Sequence, residues 1–556
     1  MATVLDEIIR LTAARPAAMA LGRLDADGLP GATLSRGELL ECARGGATQL
    51  FVLIRPGDRV VLAYAPGIDF VVAVLAVWMA GGVVVTASPP TTDRTREWLL
   101  GIVRESEAAL MLTNASLVPS LTPFGQLVGV PVASLAPSSA AEEAGLRRGP
   151  SDLALLQFTS GSTSAPRGVR ITHENLLANL GQMMAASRFN AEDVCVTWLP
   201  HYHNMGLMGV ILLPLWAGFP THLMSPMEFL ERPGRWLRAI SEVRATFSGG
   251  PNFAFDLAAI RTSGAEAEGL DLSCWQAAFC GSEPVRPATL ARFSKRFTPF
   301  GFDVGAFYPS YGMAEATLLV TGGAKHGGAK SFFLDAEALA DGRALEVPAD
   351  SPRARALVGL GRCWGDLELA IIDPDQGLRQ PEGVVGEVWL RGPSVSDGYW
   401  RPVDSNPFGH ALSAETGWLR TGDLGLLLHG ELILTGRMKE LIIVNGRNLY
   451  PSDLEQALEG LRPRVQAAVA FAVEAQRGER LVVIAEVDAA LEMEAQNHLQ
   501  EEIRLALRQE DVTPHAVVLV PPGGIVRTAT GKMARFATRD AYVAGALPSL
   551  IAAASV

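Results

Sequence analysis

Apolar positions fall along the first 320 residues in two rhythms. Short, mostly apolar runs at residues 60–63, 109–112, 153–158, 194–199 and 277–280 carry no regular alternation. Such runs predict strands buried on both faces. Between them, apolar residues recur three and four apart. Leu176, Leu180 and Met183 after Thr172 predict one helix. Buried strands alternating with amphipathic helices predict an α/β protein with mostly parallel sheets. Residues 70–87 carry no charge and approach the length of a membrane span. Gly81-Gly82 divides them into a buried helix, 68–80, and a buried strand, 83–86. With a strand near 59–64 this is a βαβ unit, preferred over a membrane anchor.

The rhythm then changes. Residues 367–372, 386–391 and 431–435 are short strand-like runs divided by Gly, Pro and Asp turns, so about 360–435 reads as a smaller β-rich subdomain. After Gly436, residues 441–444, 465–473, 481–487 and 516–520 predict strands. Residues 492–509 predict a charged helix with Met493, Leu499, Ile503 and Leu507 inward. The expected organisation is a large domain, 1–438, built of several subdomains, and a small mobile α+β domain, 439–556, joined by a hinge at Met438-Lys439.

Composition narrows the classes. The chain has 556 residues, 48% apolar and 19% charged, which fits a folded protein of more than one domain. A net charge of -12 argues against nucleic acid as a partner. Five scattered cysteines without a CxxC pair point to a reducing compartment, with neither a disulfide framework nor a zinc site. The N-terminus lacks the basic start and apolar block of a signal peptide, so a cytoplasmic location without a membrane span is expected.

The chemistry concentrates in a few segments. Thr159-Ser160-Gly161-Ser162-Thr163-Ser164-Ala165-Pro166-Arg167-Gly168 crowds hydroxyls and glycines between a predicted strand and a predicted helix. Backbone N–H groups and hydroxyls in such a loop can wrap a polyphosphate. No Lys-Ser or Lys-Thr follows the last glycine, so it is not a Walker loop. Further along stand Cys280-Gly281-Ser282-Glu283-Pro284, Tyr308 to Glu315 (YPSYGMAE), Arg420-Thr421-Gly422-Asp423, Gly436-Arg437-Met438-Lys439 and Thr528-Ala529-Thr530-Gly531-Lys532.

In order and content these segments resemble the adenylate-forming superfamily of acyl-CoA synthetases, luciferases and peptide-synthetase adenylation domains. Trp198-Leu199-Pro200-His201-Tyr202-His203-Asn204-Met205-Gly206-Leu207, Ser248-Gly249-Gly250-Pro251 and Gly446-Arg447-Asn448-Leu449-Tyr450-Pro451 are similar to the fatty acyl-AMP ligases within it. That resemblance implies activation of a fatty acid by ATP with Mg²⁺. It implies transfer of the acyl group to a phosphopantetheine thiol of an acyl carrier protein, or of a carrier domain in a polyketide or nonribosomal-peptide synthase. No carrier attachment site is evident after residue 540, so the carrier is expected in trans.

The resemblance also implies roles. Thr159, Ser160, Gly161, Ser162, Thr163, Arg167 and Gly168 would hold phosphates, with Arg167 where relatives often carry Lys. Glu315 and Thr159 would hold Mg²⁺. Tyr311, Gly312, Met313, Gly281, Ser282 and Glu283 would surround adenine. Asp423 would accept from the ribose hydroxyls, and Arg437 would contact ribose or phosphate. Lys532 would be the main catalytic cation and Lys439 the hinge. His203, Ser248, Gly249 and Phe253 would meet the acid, and the apolar stretch 205–219 would line its tunnel. Asn204 departs from the Asp usual after that histidine. Residues 328–358 would be the insertion linked in the ligases to loss of CoA use. Arg462, Arg464, Arg477 and Arg480 would offer an acidic carrier a basic patch. Two readings compete: an acyl-CoA synthetase with the same first half-reaction, and a noncatalytic acyl- or nucleotide-binding module.

Overall fold

The mostly apolar runs become the inner strands of two sheets. The protein is described by a computed structural model covering residues 2–136, 149–159, 166–403, 406–444, 447–475, 478–509, 512–527 and 533–550. One sheet has six strands in the order Val132–Ala133, Leu110–Leu112, Arg59–Leu62, Val83–Thr86, Leu153–Thr159, Arg167–Thr172. All its pairs are parallel except the last. The other has eight, in the order Leu319–Gly322, Phe307–Gly312, Ala277–Cys280, Phe247–Gly250, Cys195–Thr197, Thr221–Leu223, Met19–Leu24, Pro30–Ser35. It is parallel inside and antiparallel at both edges. The helix Ile68–Met79, which carries no charge after Asp69, touches strands of both sheets. Burial between two sheets, rather than in lipid, accounts for its composition. Among the described residues no helix is long and apolar enough to cross a membrane.

One local expectation is corrected. The hydroxyl-rich loop does not run straight into a helix. The chain returns as the antiparallel strand Arg167–Thr172, with Thr159 opposite Arg167, before helix His173–Ser187 begins. Arg167 and Gly168 are therefore strand residues. Gly168 is glycine because a Cβ there would stand 2.9 Å from the Phe158 ring. The helix starts with a capping box, in which Thr172 and Asn175 exchange side-chain and backbone hydrogen bonds.

The β-rich subdomain is an antiparallel sheet of Glu368–Ile372, Gly386–Arg391, Glu415–Leu428, His410–Leu412 and Glu431–Arg437. Its central strand, Glu415–Leu428, was not predicted, because Thr421-Gly422-Asp423 reads as a turn. The chain stays in the sheet because Gly422 takes φ +73°, open only to a residue without Cβ at little cost. Residues 328–358 form a ribbon of Ser331–Asp335 and Ala354–Val358 with a short helix, Ala336–Ala340, capped by Asp335. Phe332, Leu334 and Leu339 bury against Leu426, Leu428 and Ile433 of the subdomain.

Beyond Met438 a separate core forms from Val483, Ala485, Leu499, Ile503, Leu507 and Leu519. It sits between strands Val465–Ala475, Gly478–Val487 and Ala516–Val520 and helix Met493–Gln509. Met493, predicted inward, is 73% exposed: it is the helix's first residue and lies outside the buried stripe. Ion pairs join this region to the rest of the chain. Arg286 pairs with Glu459, Arg355 with Asp453, and Arg462 lies 3.8 Å from Asp256.

Candidate active site

A cavity of about 1550 Å³ opens where the two parallel sheets, the β-rich sheet and the C-terminal residues meet. That exceeds the 300–1,000 Å³ usual for one small ligand, so two substrates can be held together. Its walls divide into a polar end and an apolar arm.

The polar end is prepaired. Asp423, 4% exposed, accepts from Tyr311 Oη at 2.5 Å and from Arg437 Nε at 2.8 Å. A carboxylate has about four acceptor sites, so two remain for the hydroxyls of a further ligand. Burial and the Asp423 charge together push the Tyr311 phenol well up, so it stays protonated and donates. The Asp423 carboxylate raises the Arg437 guanidinium, keeping it charged while it is open to the cavity.

Two neighbours fix this trio. Thr421 Oγ1 accepts from the Asp423 N–H at 3.0 Å. Glu387, 1% exposed, accepts from Gly422 N, Arg420 Nε and Trp389 Nε1 at 2.9 to 3.1 Å. Glu387 was missed by sequence reasoning, since a lone Glu in a strand carries no pattern.

Glu315 lies in the turn Ala314–Ala316 and accepts from Tyr399 Oη at 2.8 Å. The guanidinium of Arg167 lies 5.8 Å over the Tyr399 ring. Tyr399 thus joins the strand Arg167–Thr172 to the Glu315 turn, and it too was missed. Just beyond, Thr317 takes φ +68°, an outlier for a β-branched residue, held by its hydroxyl donating to Ser394 O at 2.7 Å. Ser282 also has a positive φ, +73°. Glu283 accepts from Phe253 N at 2.5 Å, tying the proposed adenine wall to the helix Asn252–Arg261.

The apolar arm runs under this end. Met205–Leu212 is a π-helix, with Leu213 N donating to Met208 O five residues back. That wider turn sets Met205, Gly209, Val210 and Leu213 on one wall. Met183, Phe247, Phe279, Leu318 and Leu319 complete it. His203 and Phe253 line the cavity; His203 Nδ1 accepts from Met205 N at 3.3 Å. Asn204 Oδ1 accepts from the same N–H at 2.9 Å and caps the helix. Behind the wall, burial holds the His201 imidazole down at about 3, so it is neutral.

The predicted residues gather unevenly. Thr159, Arg167, His203, Phe253, Ser282, Glu283, Tyr311, Gly312, Met313, Glu315, Asp423, Arg437 and Lys439 all line the cavity. Ser248 and Gly249 do not. Ser248 Oγ is fully buried, donating to Val196 O and accepting from Trp236 Nε1. Gly249 acts indirectly: a Cβ there would stand 2.7 Å from the Phe279 ring, which is part of the wall. Gly281 likewise lets Ser310 approach, its Cβ position being 2.7 Å from Ser310 O. Gly168 stands behind the cavity on its strand. Ser160, Gly161, Ser162, Thr163 and Lys532 lie outside the described residues; Met533, next to Lys532, borders the cavity. The expected basic patch is mostly paired. Arg464 meets Glu502, Arg480 meets His515, Arg462 faces Asp256, and Arg477 lies outside the described residues.

Known proteins resemble this chain in sequence and in fold. The pattern of the AMP-binding enzyme family matches residues 12–400. The chain belongs to that family. It is 38% identical over 538 residues to a medium-chain-fatty-acid–acyl-carrier-protein ligase of Moorena producens, covering 93% of this chain and 90% of the relative. It is 36% identical over 513 residues to a long-chain-fatty-acid–AMP ligase of Mycobacterium marinum, covering 88% and 87%. The fold matches a fatty acyl-adenylate ligase of L. pneumophila, solved with acyl adenylate and pyrophosphate, at TM-score 0.76 and 34% identity over 99% and 97% of the two chains. These matches place the AMP-binding enzyme on its fatty acyl-AMP ligase branch.

Proposed function

We propose that the enzyme joins a fatty acid to AMP at this cavity and passes the acyl group to the thiol of a separate carrier protein. The observation that carries the reading is the meeting of a prepaired Asp423–Tyr311–Arg437 trio with an apolar arm in one cavity. A carboxylate oxygen attacks the α-phosphorus of ATP, and the bond to the β-phosphate breaks as pyrophosphate leaves. A thiolate then attacks the acyl carbon and AMP departs.

Asp423 would take the ribose hydroxyls and Tyr311 would stack on adenine. Thr159, Arg167 and the loop between them would take the phosphates, where fixed donors stabilise developing charge. Among the described residues no group of three or more His, Cys, Asp or Glu comes together as a metal nest. Glu315 and the Thr159 hydroxyl would hold Mg²⁺, which would shield phosphate charge. Lys532 would stabilise charge shared by the attacking carboxylate and the α-phosphate. Residues 439–556 would close over ATP for the first step and turn about Lys439 for the second. A fatty acid, an acidic carrier in trans and a cytoplasmic setting complete the reading.

Fatty-acid-dependent exchange of labelled pyrophosphate into ATP tests the first step. Exchange is expected with the acid and none without it; binding of nucleotide with no exchange would leave only a binding module. Offering free CoA against a phosphopantetheinylated carrier tests the second step. Faster acyl-CoA formation than carrier loading would make the enzyme a synthetase instead.

A further inference from the structure

The floor of the apolar arm is not apolar. Tyr308 and Ser187 both line the cavity, near enough for their hydroxyls to interact. Tyr308 stands three residues before Tyr311 on the strand Phe307–Gly312, so it lies about 10 Å along the strand from the adenine side. Ser187 ends the helix His173–Ser187, one turn beyond Met183, which lines the same arm. Phe279 is the direct neighbour of Tyr308 in the sheet, and Phe247 lines the wall beside it.

Each hydroxyl has donor and acceptor capacity that their single mutual interaction does not exhaust. The described residues offer neither one another hydrogen-bond partner. Burial keeps the Tyr308 phenol protonated, so its proton remains available to donate. Gly322 leaves the oxygen its room, since a Cβ there would stand 2.9 Å from Tyr308 Oη. A hydrocarbon end placed here would cover two hydroxyls without satisfying them, which costs free energy. An oxygen at the end of the chain would complete both.

We propose that Tyr308 and Ser187 read an oxygen far from the carboxylate, so that the preferred acid carries a hydroxyl or ketone at or near its tail. This inference rests on the proposed function, because it names the acid that the arm selects. It assigns Tyr308 and Ser187 to specificity and gives them no part in the reaction at phosphorus.

The test uses the full chain in acid-dependent pyrophosphate exchange. A ladder of straight-chain acids is offered, each plain and hydroxylated at its last carbon. At the length that reaches the pair, the hydroxylated acid should exceed the plain one about tenfold in kcat/KM. Tyr308→Phe and Ser187→Ala remove only an oxygen, and each should bring that ratio down toward one while the KM for ATP stays fixed. A ratio near one at every length, or a ratio that neither variant changes, would overturn the inference while plain-acid exchange leaves the proposed function standing. Exchange with no acid of either kind would overturn both.

Discussion

At the proposed nucleotide end, Asp423 holds both Tyr311 and Arg437 before any ligand arrives, and Glu315 is held by Tyr399. At the acyl end, Met183, Gly209, Val210, Leu213 and Phe279 form a wall with no such network. The first end has fixed dipoles that need no reorganisation when charge develops, which is where electrostatic catalysis gains most. The second selects by shape and by what it leaves unsatisfied. Chemistry should therefore fail with point changes at one end, and specificity should move with point changes at the other.

The sharpest break would come from the C-terminal side of the nucleotide end. Lys532→Ala should lower acyl-AMP formation about a thousandfold, the scale lost with a charge-stabilising donor, while binding of the acid by calorimetry is unchanged. Near-normal exchange in that variant would remove the lysine from the mechanism. Asp423→Ala should lower kcat/KM for ATP about a hundredfold. It removes the acceptor shared by Tyr311 and Arg437 and leaves the KM for the acid nearly constant. Equal loss for both substrates would mean that the trio supports the fold rather than the nucleotide.

The folded chain responds to acid through two buried histidines, with a sign that follows from burial. His201 and His222 are neutral because desolvation lowers them to about 3 and about 4 from an ordinary 6.5. Below pH 6.5 the unfolded chain binds protons that the folded chain refuses, so stability falls as pH drops from 6.5 toward those values. At pH 5 the loss should be about 1–2 kcal/mol per histidine. Urea midpoints measured between pH 7 and pH 5 check this, and His201→Gln should flatten the slope. A midpoint independent of pH would contradict the burial of both rings.

Gly209 tests the arm directly. A Cβ there would come 3.1 Å from Leu318 Cδ2 across the wall. Gly209→Leu should raise the KM for longer acids about tenfold and leave short acids and ATP little changed, about the discrimination that a methylene or two provides. An equal rise for every chain length would place the lumen elsewhere.

Sequence reached the two ends unequally for the same reason. Arg437, Glu315 and Tyr311 stand in short ordered motifs, where turns lie close in sequence to the strands that carry them. The parallel sheets were legible because a strand buried on both faces has no polar positions to hide it. The long strand Glu415–Leu428 was not, because Gly422 makes a sheet residue look like a turn. Glu387 and Tyr399 act through partners 33 and 84 residues distant, which no local pattern reports. The arm was only half legible: 205–219 is apolar whether it faces a lumen or a core. The π-helix that decides the matter depends on close approach at Gly206, where a Cβ would meet Pro200 O at 2.1 Å.

The smallest effect lies where the two ends meet. Asn204 stands where the family resemblance leads one to expect Asp, and the structure gives its side chain a backbone task. Asn204 Oδ1 accepts from Met205 N and caps the π-helix, while His203 Nδ1 accepts from the same N–H. An Asp oxygen can make that cap equally well. It also brings a negative charge to a helix start, which is favourable by about 0.3–1 kcal/mol. With Nδ1 accepting, the neutral His203 ring carries its proton on Nε2. Asn204→Asp should therefore keep adenylation within about threefold at neutral pH, since the cap survives the change. A loss beyond tenfold at neutral pH would show that the neutral amide belongs to the site and not only to the helix it caps.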